Sequence, residues 1–233
     1  MRNVSARTII VPMARQSSRS GWALGAGDPE RLRRRMVQRQ LRARGIVDEC
    51  VLAAMAQVPR ERFVPESERG RAYRDRALAI DEGQTISQPW IVAAMTQLLG
   101  LAGDERVLEV GTGSGYGAAV LSRCAREVIT IERHAVLATR ARELLARLGH
   151  ANVEVRLGDG SLGAPERAPF QGIVVTATAD GSPPAALREQ LAPGAALVAP
   201  VRRGEEEWLI RFVDGGEEAI APVRFVSLVV DDR

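Results

Sequence analysis

The chain has 233 residues, of which 45% are hydrophobic and 26% are charged, and its formal net charge is +3. These values are ordinary for a globular protein, and the charge is too small to indicate nucleic-acid binding. No apolar run reaches the roughly 18 residues that a membrane-spanning helix needs.

The first 28 residues are rich in arginine and serine, and no acid precedes Asp28. Their apolar stretch around Pro12 is shorter than the core of a secretory signal. We expect residues 1–28 to be a disordered or over-extended start. An organellar transit peptide has a similar composition and stays open as the alternative.

Helix signals begin at Asp28-Pro29, an N-cap residue followed by proline at the first helical position. Gly45 is expected to end this helix, and Asp48 to cap a second one that stops at Pro59. Residues 29–100 are therefore predicted to form a helical cap with a substrate loop. The arginines of the first helix form either a solvated face or a surface for acidic substrates; they are Arg31, Arg33, Arg34, Arg35 and Arg39.

A loop is predicted at Gly83–Pro89, followed by a helix over Trp90–Leu99. Thr85, Ser87 and Gln88 come immediately before that helix. Helix N-termini offer free amides and the positive end of a dipole, so a carboxylate bound there would be stabilised.

The stretch Arg106–Arg133 reads as strand, glycine turn, helix, strand and acid. The strands are expected at Val107–Val110 and Val128–Ile131, the helix at Ala118–Arg126, and the acid is Glu132. This order is typical of a doubly wound nucleotide site, in which the acid accepts the ribose hydroxyls. The turn itself carries Gly111, Gly113 and Gly115.

The glycine spacing does not match the dinucleotide pattern GxGxxG, and no lysine of a phosphate-binding P-loop is present. Glu109 stands two residues before the first glycine, where its charge would repel a pyrophosphate and attract a cation. This E-x-G-x-G form resembles motif I of the class I S-adenosylmethionine (SAM)-dependent methyltransferases. SAM carries an ammonium, a sulfonium and a ribose, and no phosphate.

Helices and strands continue to alternate over residues 101–233, which we predict to be the SAM-binding core. Asp159 follows a strand and is placed to receive the adenine amino group. Two final strands, Glu207–Val213 and Val223–Val230, should be antiparallel. The other elements are a helix over His134–Leu148, strands at Val153–Leu157, Gly172–Thr176 and Ala196–Val201, and a helix over Ala185–Leu191.

The cysteines and histidines show no metal or redox spacing, so no metal site is expected. Cys50 and Cys124 are predicted to be buried as small hydrophobic residues. His134 and His150 flank the predicted helix and are expected to be solvated.

Over residues 32–230 the sequence resembles the protein-L-isoaspartate (D-aspartate) O-methyltransferases. Among its matching blocks, the TISQP block is the specific one, because other methyltransferases of the class lack it. The blocks are VPRERFVP (Val58–Pro65), GQTISQP (Gly83–Pro89), VLEVGTGSGYGAAVL (Val107–Leu121), GDG (Gly158–Gly160), APFQGIVVTA (Ala168–Ala177) and PVRFVSLV (Pro222–Val229).

The resemblance implies an α/β fold with a doubly wound, mostly parallel, Rossmann-like sheet, an N-terminal helical cap and an antiparallel C-terminal strand pair. It also implies SAM-dependent methylation of the α-carboxylate of isoaspartyl residues, and of D-aspartyl residues, in damaged proteins. The ester then closes to a succinimide, whose hydrolysis returns some normal aspartate. S-adenosylhomocysteine is the second product.

The same resemblance assigns roles to individual residues. Ser87 is expected to be the active-site residue, orienting one carboxylate oxygen without acting as a nucleophile. Substrate contacts are implied for Thr85, Ile86, Gln88 and Val226. Cofactor contacts are implied for Glu109, Gly111, Thr112, Gly113, Ser114, Glu132, Arg133, Asp159, Gly160 and Thr176.

Three places depart from the family pattern. Asp81 and Glu82 stand where uncharged residues are usual, and their charge is expected to disfavour an anionic substrate. Gly117 replaces a longer side chain, which should loosen the start of its helix. The loop 178–184 also differs and is expected to border the substrate.

We therefore predict a cytoplasmic, monomeric repair methyltransferase that uses SAM, takes isoaspartyl proteins as partners, and binds neither nucleic acid nor membrane. Two alternatives stay open. One is a related enzyme that methylates aspartate in a dedicated peptide precursor. The other is a SAM-binding module with little or no catalytic activity.

Overall fold

The computed structural model describes residues 28–230. The predicted N-terminal extension therefore lies, apart from Asp28, outside the described residues, and the expectation for it stays a prediction. Within the described part, no helix is both long and apolar enough to cross a bilayer. No group of three or more metal-binding side chains lies together there.

Most helices begin and end close to the positions expected from the sequence. Asp28 caps the first by accepting a hydrogen bond from Glu30 N, and Asp48 caps the second by accepting one from Val51 N. The first continues as a π-turn and a 3₁₀ turn to Gly45, whose φ of 89° ends it. The helices are α1 (Pro29–Met36), α2 (Glu49–Gln57), α3 (Pro89–Leu99), α4 (Tyr116–Leu121), α5 (Ala135–Arg147) and α6 (Ala185–Glu189).

The strands form one large sheet and one small hairpin. The strands are β1 (Leu78–Ala79), β2 (Thr85–Ile86), β3 (Arg106–Val110), β4 (Glu127–Glu132), β5 (Val153–Leu157), β6 (Phe170–Val175), β7 (Ala179–Asp180), β8 (Leu191–Arg203), β9 (Glu206–Val213) and β10 (Gly216–Pro222). The large sheet has the order β10-β9-β8-β6-β3-β4-β5, with β7 paired to β8, while β1 and β2 pair separately.

Strands β5, β4, β3, β6 and β8 run parallel, and β8, β9 and β10 are antiparallel. The chain winds outward from β3 to β5 and then returns to β6, so the strand order reverses between β3 and β6. This arrangement confirms the predicted doubly wound, mostly parallel sheet. In such sheets the ligand crevice lies outside the carboxyl ends of the strands at that reversal.

The hydrophobic core has two parts, one on each face of the sheet. Successive residues of one strand contribute to opposite parts: Val107 to the first and Leu108 to the second. The first part also contains buried side chains of α1, α2, α3 and α5, so the N-terminal helices pack on the sheet itself. The second part is covered by α6 through Leu187.

Three predicted elements differ from the structure. The loop expected at Gly83–Pro89 contains the short strand β2, which pairs with β1. The helix expected over Ala118–Arg126 ends at Leu121, and a turn follows. The last strand is Gly216–Pro222, not Val223–Val230, because two left-handed residues, Asp214 and Gly215, make the tight hairpin turn. That strand carries the charged edge sequence GEEAIAP, which has no apolar signal.

The cysteine and histidine expectations hold only in part. Cys124 is buried, but Cys50 is exposed. His150 is 4% exposed, against the expectation of a solvated ring. The chain turns back after α5, so Nδ1 of His150 lies 2.7 Å from the Ser122 hydroxyl. Burial lowers the pKa of His150, and the charge of Arg123 adds to that effect.

Candidate active site

A cavity of about 810 Å³ opens at the carboxyl ends of β3, β4 and β6. This volume lies within the usual range for small-molecule sites, and its position is the strand-order reversal. Every residue that the sequence analysis assigned to cofactor or substrate lines this cavity. Their individual roles stay predictions.

The glycine turn after β3 is held by close contact with the strand beside it. A Cβ on Gly111 would lie 2.2 Å from Oγ1 of Thr176, so no larger residue fits. The Thr176 hydroxyl lies 2.8 Å from the Gly111 carbonyl oxygen and 3.0 Å from that of Val110. Thr176 therefore fixes the path of the turn.

Glu132, at the end of β4, has both carboxylate oxygens positioned by the backbone. Oε2 accepts a hydrogen bond from Gly113 N at 2.8 Å, and Oε1 accepts one from His134 N at 3.0 Å. The residue is 5% exposed. Since an ionised carboxylate has further lone pairs, the two oxygens can also accept bonds from the paired hydroxyls of a ribose.

Glu109 is the second buried acid, only 2% exposed. Its Oε2 accepts a hydrogen bond from Thr130 at 2.6 Å, and the Thr130 hydroxyl lies 2.6 Å from that of Thr112. Burial raises the pKa of Glu109 to about 8. The Thr130 bond opposes this shift, and the charge of Glu132 adds to it. A cation placed beside Glu109 would favour its ionised form.

Gly117, which departs from the family pattern, gives Glu109 its space. A Cβ there would lie 2.2 Å from Oε1 of Glu109. The glycine therefore lets the carboxylate lie directly against the first turn of α4. Strand β4 supplies the other side of Glu109 through Thr130.

Asp159 follows β5 and caps the short 3₁₀ turn at Gly160–Leu162. Its Oδ1 accepts a hydrogen bond from Ser161 N at 2.8 Å. A Cβ on Gly160 would lie 2.5 Å from Cγ1 of Val110, so the backbone of the turn packs directly against β3. Asp159 is thereby fixed at the rim of the cavity on the β5 side.

Ser87 lies just before α3 and lines the cavity. The N-cap of α3 is Gln88, which makes no side-chain cap bond, so Ser87 does not cap this helix. The Ser87 hydroxyl makes no hydrogen bond within residues 28–230. Gln88 instead donates to Oδ1 of Asp75 at 2.7 Å.

The segment 223–228, predicted to be a strand, forms a wall of the cavity. Thr178 N donates to the carbonyl of Val226 at 2.7 Å, and Leu228 N donates to that of Thr178 at 2.8 Å. Glu207 on β9 accepts hydrogen bonds from Phe225 N and the Thr178 hydroxyl, both at 3.0 Å. These bonds hold Val226 at the rim of the cavity, where it is 38% exposed.

Asp81 and Glu82 do not line the cavity. Asp81 forms an ion pair with Arg140 of α5, and Oε2 of Glu82 lies 3.8 Å from Nδ1 of His134. Their charges are therefore directed at Arg140 of α5 and at His134, its N-cap. The expected repulsion of an anionic substrate is not supported by this arrangement.

Sequence reasoning missed three residues that shape the site: Thr130, Arg60 and Glu207. Thr130 could have been found, because it stands two residues before Glu132 and so shares its face of the strand. Arg60 lies within the VPRERFVP block that carries the resemblance. Glu207 gave no local signal, since its partners lie 18 and 29 residues away.

Comparison with known proteins identifies relatives over most of the chain. The family model described as protein-L-isoaspartate(D-aspartate) O-methyltransferase matches residues 32–232. Protein-L-isoaspartate O-methyltransferase 2 of Anaeromyxobacter sp. (strain Fw109-5) is 54% identical over 205 residues, covering 86% of this chain and 84% of the relative. The corresponding protein of Roseiflexus sp. (strain RS-1) is 52% identical over 190 residues, covering 80% and 87%.

Two solved structures share the fold over most of the chain. A protein-L-isoaspartate O-methyltransferase superposes with a TM-score of 0.73 at 30% identity, covering 83% of this chain and 65% of that one. A Plasmodium falciparum structure, described as a putative enzyme of the same name in complex with S-adenosyl-L-homocysteine, gives a TM-score of 0.71 at 25% identity. It covers 84% of this chain and 98% of its own.

Proposed function

This chain belongs to the protein-L-isoaspartate(D-aspartate) O-methyltransferase family, and from that membership we propose how its cavity performs the reaction. The enzyme methylates isoaspartyl residues of damaged proteins and uses SAM as the methyl donor. The assignment of each step to particular residues is the proposal. It rests on the geometry of the cavity and on elementary acid–base chemistry.

The acids and the glycine turn fit SAM. Glu132 offers two backbone-held oxygens, which we assign to the ribose, and Asp159 lines the same cavity and is assigned to the adenine. Glu109 lies beside the glycine turn, where a cationic group would keep it ionised. When bound, SAM supplies a methyl group on a positively charged sulfur, an electrophile that a carboxylate attacks.

The substrate carboxylate is proposed to bind at the amino end of α3, beside Ser87. A carboxylate is ionised at neutral pH, so the reaction needs no general base. The Ser87 hydroxyl donates a hydrogen bond to one oxygen and leaves the other free to attack. The protein's contribution is mostly positioning and exclusion of water, for which effective molarities reach about 10⁵ M or more.

One observation carries this proposal. The Glu132 cradle and the Ser87 end of α3 face the same cavity, one at the carboxyl end of β4 and the other at the first turn of a helix. Methyl donor and acceptor can therefore meet without any large movement of the chain. Segment 223–228 closes the side of the cavity along which a peptide would lie.

The proposal is tested by methyl incorporation from labelled SAM into an isoaspartyl peptide and its aspartyl twin. We expect base-labile label in the isoaspartyl peptide only. Labelling of normal aspartate in one particular sequence would favour an enzyme that modifies a dedicated precursor. SAM binding by calorimetry without turnover on any isoaspartyl peptide would favour a binding module.

We further propose that the enzyme acts in the cytoplasm as a monomer and does not bind nucleic acid. The modest net charge supports the proposal that the enzyme does not bind nucleic acid. The division into a lead at residues 1–28, a cap and substrate loop at 29–100 and a core at 101–233 also stays a proposal. Light scattering on the purified chain would test the monomeric state, because a dimer would double the measured mass.

A further inference from the structure

Arg60 is a fully buried arginine, with 0% of its surface exposed. Its Nε donates to the carbonyl of Ala72 at 2.8 Å, and its Nη2 donates to the carbonyl of Ser87 at 2.7 Å. Its Nη1 is buried without any hydrogen-bond partner in the described chain. Such a group is uncommon, because an unsatisfied buried donor costs stability.

Within residues 28–230, no carboxylate forms an ion pair with Arg60, although the charge of Asp75 acts on it from beyond ion-pair distance and favours its protonated form. Glu61, the next residue along the chain, binds Arg33 and the Tyr73 hydroxyl. Asp75 binds Arg44 and Gln88.

The aromatic neighbour of Arg60 does not neutralise it either. The centre of the guanidinium lies 4.8 Å from the centre of the Tyr116 ring. Burial raises the pKa of Tyr116 to about 12, so the phenol is neutral at physiological pH. Burial also lowers the pKa of Arg60, but an arginine starts so high that it stays protonated.

Both groups that Arg60 contacts on this side belong to the cavity. Ser87 and Tyr116 line it, and Ser87 is the residue beside which the substrate carboxylate is proposed to bind. The guanidinium therefore contacts two residues of the cavity wall without lining the cavity itself. In this buried setting its field is screened far less than that of a surface arginine.

We propose that Arg60 is a positioning residue that holds Ser87 at the mouth of α3 and makes this end of the cavity selective for a carboxylate over a neutral group. Arg60 itself does not touch the substrate. It fixes the Ser87 backbone by one hydrogen bond, and its unpaired charge favours an anion on the far side. This inference rests on the proposed function, since it takes the isoaspartyl carboxylate as the anion.

The test compares two peptides that differ only in charge. One contains isoaspartate, and the other carries the α-carboxamide in place of the α-carboxylate. Their dissociation constants are measured by calorimetry with S-adenosylhomocysteine bound, so that no turnover occurs. For the unaltered enzyme we expect the carboxylate peptide to bind at least about tenfold more tightly.

Arg60→Met removes the charge and keeps most of the side-chain length. We expect the preference for the carboxylate to fall to about twofold or less, while affinity for S-adenosylhomocysteine changes little. Equal weakening of both peptides, with the preference unchanged, would overturn the charge part of the inference. The matched control is Arg44→Met, which removes another arginine that stacks on an aromatic ring but is paired with Asp75. In Arg44→Met the preference for the carboxylate peptide should not change.

Arg60→Lys keeps the charge but cannot reproduce both hydrogen bonds of the guanidinium. If Arg60→Met does not fold, this variant tests whether the charge of Arg60 sets the carboxylate preference. We expect its carboxylate preference to stay within about threefold of the unaltered enzyme, while kcat falls at least tenfold because Ser87 is less well held. Loss of the preference in this variant would contradict the charge part, and an unchanged kcat would contradict the positioning part.

Methyl transfer by the unaltered enzyme to the isoaspartyl peptide is measured in the same preparation. Absence of that transfer would contradict the proposed function itself. Transfer by the unaltered enzyme together with an unchanged carboxylate preference in Arg60→Met would contradict the inference about Arg60 alone.

Discussion

The Ser87 hydroxyl is the single side-chain group on which the proposed chemistry most depends. Ser87→Ala removes one hydrogen bond to a charged oxygen, and such bonds contribute about 1.5–3 kcal/mol. We therefore expect kcat to fall roughly 10- to 100-fold, with SAM affinity within about threefold of the unaltered enzyme. Steady-state kinetics with an isoaspartyl peptide and calorimetry with SAM measure the two effects. Equal loss of both would mean that Ser87 supports the fold instead.

The raised pKa of Glu109 predicts that SAM binding depends on pH. Its pKa in the folded protein without ligand is raised to about 8, so at pH 7 it is mostly protonated and neutral. We expect SAM to bind more tightly as the pH rises from 7 to 9, because ionised Glu109 attracts the cationic ligand. Calorimetry across this range measures the effect. Glu109→Gln should flatten the profile, and an identical slope in that variant would contradict the assignment.

The raised pKa of Glu109 also makes the stability of the protein depend on pH. The pKa of Glu109 in the folded protein is above its value of 4.5 in the unfolded chain, so folding binds a proton between these values. The stability that Glu109 contributes is fully present below about pH 4.5 and is lost as the pH rises through about 8. Denaturant unfolding without SAM should therefore show a loss of stability over this window that Glu109→Gln lacks.

At the scale of elements, the β1–β2 hairpin connects the proposed substrate side of the cavity with its proposed cofactor side. Its second strand leads directly to Ser87, and its turn forms an ion pair with α5 through Asp81 and Arg140. Ile80 in that turn reaches the glycine turn, lying 3.8 Å from where a Cβ on Gly113 would be. The acidic residues that depart from the family pattern thus attach the hairpin to α5 and to His134, which precedes it.

Arg140→Ala tests that attachment. Both side chains of the Asp81–Arg140 pair are more than half exposed, and such pairs contribute about 0.2–1 kcal/mol. We expect the dissociation constant for SAM to rise about two- to fivefold, and the effect to shrink at high salt. The matched control is Arg147→Ala, which removes an exposed arginine at the C-terminal end of α5. The dissociation constant for SAM should not change in this variant. An equal effect of the two substitutions would contradict the attachment.

At the scale of the whole molecule, the N-terminal helices and the sheet share one hydrophobic cluster. Leu41 and Trp90 from the first hundred residues lie in it together with Leu145 and Val198 from the core. A helical cap that shares its core with the sheet should not unfold separately. The proposed segment boundary near residue 100 then does not separate two parts that unfold independently.

This shared core predicts a single unfolding transition. Trp208→Phe leaves Trp90 in α3 as a probe of the N-terminal part, and Trp90→Phe leaves Trp208 in β9 as a probe of the sheet. Trp22 is common to both variants. Within each variant, the fluorescence midpoint in denaturant should coincide with the midpoint from circular dichroism. Two separated midpoints would show that the cap unfolds independently.

The sequence alone determined what depends on residues close together in the chain. The glycine turn, the acid that ends β4 and the helix after Pro89 follow from short-range geometry, and they indicated the doubly wound fold and the cofactor. The resemblance in the TISQP block supplied the substrate class. The strand at Gly216–Pro222 was missed because a charged edge strand has no apolar period, although its turn residues are local.

Only the tertiary structure decided which distant residues meet. Arg60 reaches Ser87 across 27 positions, and Asp81 reaches Arg140 across 59. Burial likewise became visible only in the folded chain, and it is burial that raises the pKa of Glu109 and leaves Nη1 of Arg60 without a hydrogen-bond partner in the described chain. The physical reason is that local sequence fixes backbone conformation, whereas desolvation and charge pairing depend on the packing of elements far apart in the chain.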